Sequence, residues 1–265
     1  GCILDPKISV AYNYWLSDPT FWQRDHVYYS LTPSATNGPL DNRYQEHLTA
    51  IKFKTRAGYD HITDQDDPYA QQDFGHSWTE GHYEFELMAL VNNTQGGGAN
   101  VTKYFPVTPS ELFFVDWRQQ TTWPYFFYIH SITPLEYNMS QVIARWDIKN
   151  NGIAWNIKLA EVDLSQSITN SETISSQNAT NFGFDITFGK EVKKGLKFGI
   201  SSQTTTTNVY SVVTQMGNDQ CGSGLIYFDD PIVIWDDIIP HTGQVSYTFK
   251  TLDIGWALLT IEPKI

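Results

Sequence analysis

The sequence predicts an all-β protein, an antiparallel β-sandwich with an irregular, aromatic-rich N-terminal segment. Three observations lead there. Stretches in which apolar and polar residues alternate recur along the chain, separated by Gly, Asn, Pro and Asp turn residues. No long stretch carries clean i, i+3, i+4 apolar spacing, so amphipathic helices are not expected to dominate. Strand patterns also do not alternate with helical ones, which removes a doubly wound parallel sheet.

The elements follow in chain order. Residues 1–45 are aromatic but aperiodic, and they read as an irregular layer with room for one short helix, packed on the sandwich through its rings. Residues 46–265 are expected to form the sandwich. LTAIKFKTRA (48–57) and HYEFELMALV (82–91) alternate, and the second runs into the polar turn NNTQGGGAN. KYFPVT (103–108), ELFFVDW (111–117) and YFFYIHSI (125–132) follow, the last two more continuously apolar. QVIARWDIKNNGIAWNIKLAEVD (141–163) reads as two strands around a tight Asn-Asn-Gly turn, a strong hairpin signal. Residues 224–239, 244–254 and 255–263 complete the set. Near residue 165 the composition shifts to Ser, Thr, Asn and Gln. The shift marks either a second β-subdomain or long strands extending one sheet.

Within that polar region lies FGFDITFGKEVKKGLKFGI (182–200), where Phe182, Phe184, Ile186, Phe188, Leu196, Phe198 and Ile200 alternate with small or polar residues. Such a face is what one sheet of a sandwich shows the other.

Composition narrows the function. The chain has 265 residues, 41% hydrophobic and 15% aromatic with nine Trp, enough for a large core. Its net charge of −12 argues against nucleic acid as a partner, because phosphate binding needs a basic surface. Charged residues are only 17%, a sparseness common in secreted β-proteins. No apolar run approaches the ~18 residues of a transmembrane helix. Cys2, next to Gly1, suggests a lipid anchor of the bacterial lipoprotein kind; the alternative is a disulfide between Cys2 and Cys221. A secreted or outer-membrane lipid-anchored, extracytoplasmic location is expected.

Candidate sites are few. Asp60, Asp64, Asp66 and Asp67 lie in YDHITDQDDPY, and several carboxylates on one loop suit a hard cation, so calcium is the candidate cofactor. The EF-hand spacing is absent, and a solvated acidic loop explains the same residues. Trp15, Trp22, Trp117 and Trp123 fall in loop-like sequence, where exposed indoles could stack on sugars. Glu161 and Asp163 are the nearest approach to a carboxylate pair for glycoside chemistry, but neighbours on one strand face point the same way and do not flank a bond. No G-x-S-x-G or H-E-x-x-H motif is present.

Two resemblances add to this. The succession Trp146-x5-Gly152-x2-Trp155, Glu161-x-Asp163, a Thr-rich stretch, Asn181-Phe-Gly-Phe184, Lys197-Phe-Gly199 and a second Thr-rich stretch resembles secreted or lipid-anchored β-sandwich proteins of Bacteroidetes-type bacteria. It covers about residues 141–230 and, more weakly, 78–117, and it implies no established activity. More loosely, an alternating hairpin framed by long Ser/Thr-rich strands resembles pore formers of the aerolysin and epsilon-toxin type. That resemblance implies Phe182, Phe184, Ile186, Phe188, Leu196, Phe198 and Ile200 as a lipid face. Against it, each apolar run is shorter than the ~9–11 residues of a spanning strand, and Lys190, Lys193 and Lys194 would lead into the bilayer. The expected function is therefore a non-enzymatic cell-surface or secreted binding or structural module, with a glycan or another protein as partner. A β-pore-forming protein is the first alternative and a carbohydrate-active enzyme the second.

Overall fold

A computed structural model describes residues 4–35, 38–63, 81–92, 98–123, 127–147, 154–162, 169–181, 204–215, 218–238 and 245–265. Antiparallel strands dominate it, as the alternation predicts. One four-stranded sheet has the order β13-β14-β1-β6, with β1 at Gln45–Phe53, β6 at Glu136–Ala144, β13 at Thr251–Asp253 and β14 at Ala257–Lys264. The other has the order β10-β7-β2-β3, with β2 at Tyr83–Asn92, β3 at Gly98–Val107, β7 at Ala154–Glu161 and β10 at Asp219–Tyr227. Three two-stranded pairs complete the described strands: β4 (Phe113–Gln119) with β5 (Phe127–Pro134), β8 (Thr169–Asn181) with β9 (Thr204–Gln215), and β11 (Val233–Ile238) with β12 (Val245–Phe249).

The core lies between the two larger sheets. Leu48, Ile51 and Phe53 of one meet Phe85, Leu87, Ala89 and Leu159 of the other, all buried. The rings of Phe53 and Phe85 stand 6.5 Å apart. At one corner the sheets are tied by a bridge between Gly222 and Gly255, and Trp256 N–H donates to the Cys221 carbonyl at 3.1 Å. Gly222 has φ +113°, and a Cβ there would overlap the Ile254 carbonyl oxygen, so only glycine allows this approach. Cys221 is buried with a free thiol, and Cys2 lies outside the described residues.

Two expectations change. The N-terminal segment holds two helices, α1 (Pro6–Ser17) and α2 (Gln23–Tyr29). Pro6 occupies the first turn of α1, and the Asp5 carboxylate accepts the Lys7 N–H at 2.7 Å, a side-chain N-cap. As expected, the segment packs through rings. Tyr12 meets Tyr247 edge-on at 5.0 Å, and Trp146 is flanked by Tyr28 at 5.3 Å and Tyr29 at 6.2 Å.

The second change concerns the Asn-Asn-Gly turn. The strands on its two sides are not partners. β6 pairs with β1, whereas β7 runs between β2 and β10 in the opposite sheet. β7 buries Ala154, Trp155, Ile157, Leu159 and Ala160, so it needs a covered central position. β6 alternates exposed and half-buried residues and takes the sheet edge. Burial overrides the local turn signal.

α2 joins the helical layer to the sandwich through polar groups. The Arg24 guanidinium meets the Glu46 carboxylate at 2.8 and 3.2 Å with both side chains buried. Arg24 also donates to the Ile261 carbonyl at 3.3 Å and lies 4.9 Å over the Phe228 ring. The Tyr28 hydroxyl donates to Glu46 at 3.3 Å. The Gln23 amide is a three-way clamp. It accepts from Ile232 N–H at 2.9 Å and Val233 N–H at 3.0 Å, and it donates to the Val233 carbonyl at 2.9 Å.

Candidate functional site

The candidate site is the β4–β5 hairpin and the cleft beside it. In β4 the side chains alternate. Phe113, Val115 and Trp117 face inward and Phe114, Asp116 and Arg118 face outward. Phe113 is buried and anchors the hairpin against Phe53 at 5.2 Å. On the partner strand Ile132 and Ile129 oppose Val115 and Trp117 and pack on the core. A register shift at Asp116/Trp117 leaves His130 as an extra residue on β5 and turns the far end of the hairpin.

The inward row does not close fully. Tyr59, Pro109, Ser110, Phe113, Phe114, Val115 and Trp117 enclose a cleft of about 210 Å³. Its walls are fixed. Tyr59 lies on the short helix α3 (Ala57–Ile62) and meets Phe113 edge-on at 5.4 Å. Pro109 and Ser110 open the helical turn α4 (Pro109–Leu112), where Glu111 accepts from Thr108 N–H at 3.1 Å and Thr108 O–H at 2.7 Å. The Leu135 N–H donates to the Leu112 carbonyl at 2.8 Å, fastening the β5–β6 junction to the same turn.

The hairpin also shows aromatic rings to solvent. Phe114 is 59% exposed, Tyr128 40% and Trp123, near the hairpin tip, 83%. Tyr128 opposes Arg118, and Arg118 stands 3.5 Å from Asp116. The outer face thus combines two rings with one guanidinium and one carboxylate. An arrangement of exposed rings with a few polar groups beside a small apolar cleft can stack on a flat, partly apolar ligand and hydrogen-bond its edge.

The structure divides the four tryptophans. Trp117 lines the cleft and Trp123 stands near it in sequence on the exposed tip. Trp22 is buried at the start of α2, and Trp15 is partly buried beside Tyr12 at 5.9 Å, so these two pack the helical layer. Asp60 is exposed on α3, one residue from the cleft-lining Tyr59, and stands 3.8 Å from Arg56. Asp64, Asp66 and Asp67 lie outside the described residues, as do Phe182, Phe184, Ile186, Phe188, Leu196, Phe198 and Ile200. Among the described residues no group of three or more His, Cys, Asp or Glu is placed to hold a metal ion. Phe114, Tyr59 and Tyr128 are additions that sequence reasoning missed. The signal for Phe114 was present: charged residues at 116 and 118 mark the outer row of β4, and 114 is in phase with them.

Comparisons of the chain with protein-family models, with curated proteins and with solved structures gave no match.

Proposed function

We propose that this chain is a non-enzymatic extracytoplasmic binding module that holds a neutral glycan on the β4–β5 hairpin. One observation carries the reading. Phe114 and Trp117 line a cleft whose walls are tied to the core, and the same hairpin carries the exposed Trp123 toward its tip. Exposed aromatic rings in a low-charge surface serve stacking on sugar faces, and a net charge of −12 disfavours anionic ligands. A glycan array tests it. Neutral oligosaccharides should bind, and Trp117→Ala and Phe114→Ala should each weaken binding at least about tenfold, the loss of ~1.4 kcal/mol of stacking, with unchanged melting temperature. A folded protein with no glycan hit would sink this reading and leave a protein partner for the same surface.

A specific observation also favours pore formation. β8 and β9 pair from Thr169↔Gln215 to Asn181↔Thr204, so residues 182–203 are the connection between two directly paired strands. The pair is 13 and 12 residues long, and Glu172 is its one charged residue. Strands of that length exceed the ~9–11 residues that cross a bilayer in a barrel, although β8 is Ser/Thr/Asn-rich on both faces and adds no apolar band to the short apolar runs. Dye release from liposomes would establish this second reading; intact liposomes at micromolar protein would end it.

A further inference from the structure

We propose that the junction between α2 and the turn from β10 to β11 is an acid-tightened latch whose titrating group is Asp25, a buried side chain with an oxygen that no hydrogen bond satisfies. The geometry begins with the neighbours of Asp25. Gln23 clamps Ile232 and Val233, and Arg24 lies over Phe228, so consecutive residues of α2 dock on the segment 228–233. Asp25 is the next residue of α2 and is buried there, and Asp229 follows Phe228 in the docked segment.

Asp25 is unusual among the carboxylates there. It is 4% exposed, and its Oδ1 has no hydrogen-bond partner. Cations of the junction and of α2 are engaged elsewhere. Arg24 is bound to Glu46, Lys250 pairs with Asp230 at 2.8 Å, and the His26 ring is hydrogen-bonded through Nδ1 to the Leu31 carbonyl at 2.9 Å. A buried carboxylate with an unsatisfied oxygen favours its protonated form. Burial first, and then the negative charge of Asp229, hold the Asp25 carboxyl well above the usual carboxylate range.

The sign of the coupling follows. The folded state binds this proton more tightly than the unfolded state. The contribution to stability is complete below about pH 4, the unfolded value, and is lost as pH rises through the folded value. The attachment of the helical layer is therefore tighter in acid than at neutral pH. Above the transition the ionised Asp25 is an uncompensated buried charge, to which the negative charge of Asp229 adds, and the docking weakens.

The test uses the full chain and two readouts. Carboxyl ¹³C NMR follows the titration of Asp25 in the wild type and in Asp229→Asn, with Asp25→Asn for assignment. Thermal melts between pH 4 and 8 compare the three proteins. Asp25 should titrate above the ordinary carboxylate range, about pH 4, and Asp229→Asn should move it down. Asp25→Asn should melt higher than wild type at neutral pH, with the difference vanishing toward pH 4. Should Asp25→Asn not fold, the titrations of the other two proteins still decide. An Asp25 that titrates at or below about pH 4, or a difference from Asp25→Asn that does not change with pH, would overturn the proposal. A melting temperature raised by calcium chloride at neutral pH, with the rise lost in Asp229→Asn, would also overturn it, in favour of a cation between the two carboxylates.

Discussion

Replacing Arg24 by Met isolates the polar link between α2 and the sandwich. Arg24 and Glu46 are 2% and 0% exposed, so neither charge keeps water as an alternative partner. Arg24→Met removes two hydrogen bonds to Glu46 and one to Ile261 O, and it leaves the carboxylate of Glu46 buried with the Tyr28 hydroxyl. Breaking a buried pair from one side costs about 3–5 kcal/mol, most of it the uncompensated charge that remains. At about 2–4 °C per kcal/mol for a chain of this size, the melting temperature should fall on the order of 10 °C. Glu46→Leu should cost a similar amount, since it strands the guanidinium. The double variant should recover most of the loss, because replacing both charges by apolar groups leaves no buried charge, only the Tyr28 hydroxyl and the Ile261 carbonyl each short of one hydrogen bond, a cost of about 1–2 kcal/mol. Urea unfolding followed by tryptophan fluorescence measures all four proteins, and the cycle should give a coupling of at least about 2 kcal/mol. A cost below about 1 kcal/mol for Arg24→Met, or two single effects that simply add, would refute the reasoning.

Three further outcomes are expected. Gln23→Leu leaves the buried N–H groups of Ile232 and Val233 without an acceptor and should cost about 2–4 kcal/mol, with faster hydrogen exchange at those two amides. Gly222→Ala should be much worse than Gly255→Ala in a thermal melt. Both glycines have positive φ, a strain of about 1–3 kcal/mol for alanine, but only at 222 would the Cβ overlap a backbone oxygen; at 255 it would lie in ordinary contact, 3.8 Å from the Cys221 carbonyl oxygen. The Cys221 thiol, pushed up to about 12 by burial, should resist a thiol reagent at pH 8 in the native protein and react once denaturant is added.

Most of the strands were legible because a strand facing a core writes its period into the sequence, as in β1 and β2. The helices were not. The inward face of α1 is Ile8, Ala11 and Tyr12 with the partly buried Trp15, a correct helical spacing whose mixed side chains dilute the apolar signal. α2 buries Gln23, Arg24 and Asp25, polar residues that periodicity assigns to solvent. The Asn-Asn-Gly turn misled because turn chemistry is local, whereas the partner of β7 is chosen by how much apolar surface the strand must cover. At the candidate site, Trp117 and Trp123 could be picked out from their loop-like surroundings. Trp22 has the same surroundings and is buried, since the packing of the helical layer, and no local pattern, decides its exposure.

The central claim is that the β4–β5 hairpin is where a ligand is held. Titrating the isotope-labelled protein with a pool of neutral oligosaccharides, while following the indole N–H signals in NMR spectra, tests it most directly. Nine tryptophans supply the probes across the core, the helical layer and the hairpin. The account predicts saturable shifts at Trp117 and Trp123, with the buried Trp22, Trp146 and Trp155 unmoved. Saturable shifts confined to other tryptophans, or none at all from a folded protein, would contradict it.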